Sequence, residues 1–218
     1  MSNLSHGMTP KMRPLSARKG AVMTVIDIGT VKTTCVIARL EPSDPAESGQ
    51  GRTHRCRVLG IGHQRSRGMK GGVVVDMDEA ERVVRSAIDA AERMAGLTID
   101  SVVLAITGGR ISSRHFLAEI GIGGRAIQDR EVDRAMGSAA GHALEQGRAV
   151  LHALPTAFRL DGRAPVKEPR GMIADRQAVD MHVATVDAAA ARNMMLAVER
   201  GHVEIEALVA TPYASGLA

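Results

Sequence analysis

Apolar residues recur along this chain in two rhythms. Short β-rich runs at 22–28, 33–40 and 56–63 predict three strands. The connections between them are short or modest, so an antiparallel meander is expected. A helical rhythm follows: Ala80, Val83, Val84, Ala87, Ile88, Ala91 and Met94 fall on one face. Asp76 is placed to cap that helix, Glu79 three residues on suits a capping box, and Gly96 supplies a left-handed stop.

Residues 101–107 are almost continuously apolar, which suits a strand buried on both faces. A strand at 115–122 comes next, then a helix from Asp129 with Val132, Ala135, Met136, Ala139, Ala140, Ala143 and Leu144 inward and Gly147 at its end. Strands at 149–160 and 181–186 flank an Asp161-Gly162 turn and a Pro/Gly/Arg-rich connection. A helix over 188–200, stopped by Gly201, and a strand over 205–210 close the chain. The order places a strand–helix–strand–strand α+β unit inside an α/β domain.

Composition adjusts this picture in three places. Hydrophobic residues make up 44% of the 218, but Phe116, Phe158 and Tyr213 are the sole aromatics, so the core is aliphatic. The net charge of +4 sits in residues 1–20, with Lys11, Arg13, Arg18 and Lys19 and no acid; the rest is balanced. A solvated, disordered leader is expected there. The cluster Arg55, Arg57, Arg65, Arg67 and Lys70 has no aromatic platform beside it and reads as a solvated edge, so no nucleic-acid partner is expected. Cys35 and Cys56 lie in apolar runs and read as free buried thiols of a reducing cytoplasm. The eight histidines lack ligand spacing, and no apolar run is long enough to span a membrane.

One turn carries chemistry. Asp27-x-Gly29-Thr30-x-Lys32-Thr33 joins the first two strands. A tight hairpin gathers backbone N–H groups and hydroxyls, an arrangement suited to phosphate oxygens. Gly29 allows close approach, Thr30 and Thr33 offer hydroxyls, and Lys32 offers charge. Asp27 repels phosphate; its natural role is to hold Mg²⁺ through water. The pattern is not a P-loop, and turn chemistry alone accounts for an Asp-x-Gly hairpin.

The surrounding segments are more distinctive. Val25-Ile26-Asp27-Ile28-Gly29-Thr30-Val31-Lys32 resembles the first phosphate motif of the FtsA family of bacterial cell-division proteins. Arg67-Gly68-Met69-Lys70-Gly71-Gly72-Val73-Val74-Val75-Asp76, the helix to Met94-Ala95-Gly96, and Ile106-Thr107-Gly108-Gly109-Arg110-Ile111-Ser112-Ser113 resemble its next stretches. Leu151-His152-Ala153-Leu154-Pro155, Phe158, Asp161-Gly162 and Pro169-Arg170-Gly171-Met172 complete the similarity.

This resemblance implies an α/β actin-like (ribonuclease H-like) subdomain over 22–110 and 187–218. A leader at 1–21 precedes it, and an inserted SHS2 unit occupies 111–186. It implies ATP and Mg²⁺ as cofactors at Asp27, Gly29, Thr30, Lys32 and Thr33. Thr211 stands where many actin-like ATPases have Glu or Gln, so slow or absent turnover is implied. The second phosphate motif, a second lobe and a membrane-binding helix are expected beyond residue 218. The family's role is an adaptor on the inner face of the membrane at the division site. It contacts FtsZ through the second lobe, reaches the membrane only through that helix, self-associates, and recruits late division proteins such as FtsN through the insertion. A pilus-assembly relative or a sugar-kinase-like phosphotransferase of the same fold are the alternatives.

Overall fold

The computed structural model describes residues 15–16, 18–43, 53–141 and 146–217. Most of the basic leader, and Ala143 and Leu144 of the second predicted helix, lie outside them, as does the side chain of Ala140. The chain separates into two units, one over Arg110–Ala188 and the other formed by the segments before and after it.

The larger unit holds a five-stranded sheet in the order β10-β6-β1-β2-β3. β1 (Ala21–Ile28), β2 (Lys32–Pro42) and β3 (His54–Arg65) form the antiparallel meander, whereas β6 (Ser101–Ile106) and β10 (Glu204–Ala210) run parallel to β1. Parallel strands need crossovers. α1 (Met77–Ala95) precedes β6 and α3 (Ala188–Glu199) precedes β10, while β4 (Met69–Lys70) and β5 (Val73–Val74) make a small hairpin before α1. α4 (Thr211–Leu217), with Pro212 in its first turn, follows β10 and is not among the elements the sequence pattern predicts.

α1 shows how sequence becomes packing here. Its buried face is Ala80, Val84, Ala87, Ile88 and Ala91. Opposite lie Gly60 and Gly62 of β3, so the helix backbone comes directly against the strand. A Cβ at Gly62 would lie 1.7 Å from the Ala87 carbonyl oxygen. Asp76 caps the helix through Glu79 N (3.0 Å), and Gly96 is left-handed (φ 68°). The capping box is half made, because the Asp76 N–H donates to Gly68 O and Glu79 pairs with Arg82. Met94, expected inside, is exposed, although its sulfur accepts from Ile61 N of β3 (3.3 Å).

The two cysteines differ in burial. Cys35 on β2 is fully buried, and burial, with the Glu92 charge second, pushes its thiol up to about 12. Cys56 is free but exposed, contrary to expectation. It belongs to the first half of edge strand β3, which faces water before the strand reaches the Gly60–Gly62 helix contact.

The smaller unit is a three-stranded antiparallel sheet, β7 (Ser112–Ala126), β9 (Ile173–Asp187) and β8 (Arg148–Leu160), with α2 (Asp129–Gly141) between β7 and β8 in sequence. Its core includes Ile122, Ile127, Val132, Ala135, Phe158, Val179, Met181 and Val183. β9 starts at Ile173 rather than at Met181. Asp175, Arg176 and Gln177 break its apolar run, yet pairing on both sides keeps it extended. In the larger unit, His202 (φ 62°), not Gly201, is the left-handed residue after α3.

Glu131 is buried in the first turn of α2. It accepts from Arg130 Nε (2.7 Å) and Gln128 N (3.1 Å), and Arg125 Nη1 lies 3.0 Å away. Burial pushes its carboxyl up, but these hydrogen bonds and the two guanidinium charges outweigh burial and hold it below the usual range. A depressed carboxyl stabilises the fold above its unfolded value and loses that contribution as pH falls through the folded value. The urea midpoint of this unit should therefore be flat above about pH 5 and fall below it, and Glu131→Gln should flatten that fall. An unchanged acid slope in the variant would remove Glu131 as its cause.

Candidate functional site

The parallel strands of the larger unit end together. Asp27 lies near the end of β1, Thr107 follows β6, and Thr211 follows β10. In open α/β sheets this carboxyl edge is where ligands sit. Thr107 Oγ1 is 3.1 Å from Asp27 Oδ1 and 3.0 Å from Thr211 Oγ1. A hydroxyl has one proton. The carboxylate is the stronger acceptor, so Thr107 donates to Asp27, with the Thr211 hydroxyl as the alternative acceptor of the same proton. Thr107 stands in one of the motifs quoted above, but nothing in the spacing announces its contact with Asp27. A threonine ending a strand buried on both faces is the signal that marks it.

The turn after β1 is closed by Gly29 N donating to Lys32 O (2.9 Å). Thr30 Oγ1 accepts from Gly72 N (2.8 Å), tying this turn to the β4–β5 hairpin. That hairpin in turn touches the end of β6. A Cβ on Gly108 would lie 2.2 Å from Gly72 O, and Gly72 itself has φ 75°. Three backbone segments thus meet at one edge, and the contact requires glycine on both sides.

The five residues singled out in the turn play unequal parts. The Gly29 N–H is used within the turn. Thr33 is buried, and its hydroxyl is 2.9 Å from Ser66 Oγ. The Thr30 hydroxyl accepts from Gly72 and keeps its own proton. Lys32 is exposed and has no acidic partner among the described residues. Asp27 is half-buried, with one carboxylate oxygen engaged by Thr107. A cation, a hydroxyl proton and a carboxylate oxygen are therefore left for a ligand. They fit a phosphate group accompanied by a hydrated divalent ion, since Mg²⁺ is held through one or two carboxylates and its own waters. No cluster of three or more His, Cys, Asp or Glu side chains among the described residues is arranged to hold a metal by itself.

Comparison with known proteins settles the family. Residues 108–185 match the family described as "SHS2 domain inserted in FTSA". The cell division protein FtsA of Agrobacterium fabrum is 45% identical over 214 residues, covering 98% of this chain and 48% of that protein. The chain belongs to the FtsA family. FtsA of Rhizobium meliloti is 46% identical over 209 residues, covering 96% of this chain and 47% of its own length. FtsA of Escherichia coli is 28% identical over 190 residues, covering 87% and 43%. The chain thus spans about half the length of the FtsA relatives it matches.

A solved structure, the PilM–PilN type IV pilus biogenesis complex, aligns over 88% of this chain and 48% of its own with a TM-score of 0.56 at 13% identity, a likeness of fold alone. The fold is α/β and actin-like, with the inserted SHS2 unit of FtsA. Among the described residues no helix is long and apolar enough to cross a membrane.

Proposed function

We propose that this chain is a nucleotide-binding part of a cell-division adaptor. In this reading Lys32 and the Thr30 hydroxyl meet phosphate oxygens. Asp27 orients the waters of Mg²⁺, and Gly29 and Thr33 shape the turn. The bound Mg·ATP supplies the charge and bulk that order the site, and no turnover is required of it. Thr211 is a poor base, and its hydroxyl is occupied by Thr107. The domain plan is the actin-like subdomain over 22–110 and 187–218, with the insertion over 111–186 serving as an interaction module for a second copy and for late division proteins such as FtsN. Linkage of FtsZ to the membrane, at the inner face of the division site, belongs to the whole protein.

The observation that carries this reading is the Asp27–Thr107–Thr211 chain across the ends of three parallel strands, beside a Lys32 that has no acidic partner among the described residues. Few groups remain free for the ligand, and each bond in a wet site nets about 0.5–1.5 kcal/mol, or about 1.5–3 when charged. Those bonds must also offset immobilisation of the ligand, so the 218-residue chain is expected to bind Mg·ATP only at about millimolar concentration. Calorimetric titration should show Lys32→Ala weakening binding about tenfold or more. Binding that Lys32→Ala leaves unchanged would overturn the site, and micromolar affinity in the parent would overturn the count of contacts.

A further inference from the structure

The sheet of the smaller unit has two faces. Val179, Met181 and Val183 of β9 pack into the core with Val132 and Ala135 of α2. His182 alternates with them and so lies on the opposite face. His115 of β7 is its direct register partner, and the two rings have their centroids 5.0 Å apart at 36°. His152 of β8 pairs with Ala184, one step further along the same face. Three strands thus bring three imidazoles to one face, although their positions in the sequence are far apart.

Three features mark His115 and His182 as a pair of donors. Neither ring makes a hydrogen bond or an ion pair to any described residue, so their nitrogens are available. The carboxylates on this face are engaged elsewhere, Asp180 by Arg159 and Glu119 by Arg176. The spacing is that of a chelate. With metal–nitrogen bonds of about 2.0–2.1 Å, two imidazoles on one tetrahedral ion have their centres about 5 Å apart. Beside the pair, burial, with the His182 charge second, holds His152 below the usual range. That imidazole is therefore neutral at neutral pH and adds no charge that would repel a cation.

We propose that His115 and His182 together chelate a divalent transition ion, zinc in first place. Imidazole suits zinc, copper and nickel, whereas calcium and magnesium require oxygen donors. Among the described residues no third His, Cys, Asp or Glu side chain joins the two. Water completes the coordination, so affinity is about micromolar, well below that of a structural zinc site with four protein ligands. The ion would tie β7 to β9 across their register. It shares no residue with the phosphate turn.

The test is calorimetric titration of the full, untagged chain, stripped with EDTA, with zinc chloride at about pH 7.5. One saturable event is expected, with no counterpart for calcium chloride. His115→Ala and His182→Ala should each weaken it by about tenfold or more, His152→Ala by less than about threefold, and Cys56→Ser by less than about twofold. Melting of each variant in EDTA shows whether the fold is retained, and with the two histidines tested separately one unstable variant does not leave the question open. Zinc should also raise the melting transition of the parent but not that of His182→Ala. No saturable heat, binding unchanged in both His115→Ala and His182→Ala, or loss of the event in Cys56→Ser would overturn the proposal.

Discussion

Gly62→Ala is expected to lower the melting temperature of the larger unit by about 6–12 °C. The methyl group would arrive 1.7 Å from the Ala87 carbonyl oxygen and 2.9 Å from Ala91 N, both backbone atoms of α1. Neither can rotate away, so the helix must lift off the strand. Overpacking costs about 1–3 kcal/mol, occasionally more. Lifting also opens the buried face of the helix, where Val84, Ala87, Ile88 and Ala91 lie. About 3 kcal/mol is therefore the expected loss, and about 2–4 °C accompanies each kcal/mol in a chain of this size. Gly216→Ala is the comparison. A Cβ there meets nothing within 4 Å, and the position is helical, so stability should hold or rise slightly. Thermal unfolding followed by circular dichroism decides the matter; a Gly62→Ala transition within about 2 °C of the parent would mean that α1 does not rest on β3 as described.

That contact also shows what was legible in the sequence. The helical rhythm, the Asp76 cap and the Gly96 stop locate α1 because each is a local signal. The glycines at 60 and 62 lie within a predicted strand, but nothing local says that a helix will rest on them. The start of β9 is hidden for the same reason. Asp175, Arg176 and Gln177 spoil its apolar pattern, and what keeps it extended is pairing with β7 and β8, which are distant in sequence. The phosphate turn is readable as a turn, yet which of its donors are free is not. Thr33 is occupied by Ser66, and Asp27 is engaged by Thr107 from another strand. Exposure of Cys56 likewise depends on where α1 ends its cover, a tertiary fact.

Gln177→Leu is expected to stabilise the smaller unit by about 1–3 kcal/mol. Gln177 sits on the central strand β9 between Ile120 of β7 and Leu160 of β8, and it is fully buried. Neither its Oε1 nor its Nε2 has a hydrogen-bond partner among the described residues. An unsatisfied buried polar group costs about 1–3 kcal/mol, and replacing it by an apolar group of similar size removes that cost. Leucine also adds apolar contact to a core already lined by Val179 and Met181. For a unit of this size each kcal/mol is worth about 4–8 °C, so the transition should rise by about 5 °C or more. Gln177→Glu gives the opposite sign. A carboxylate there has no partner, so its folded pKa would be raised, and stability would be poor at neutral pH and recover as pH falls. Urea denaturation of both variants from about pH 4 to about pH 8 is the measurement. A leucine variant less stable than the parent would show that the amide is satisfied, and that this core depends on it.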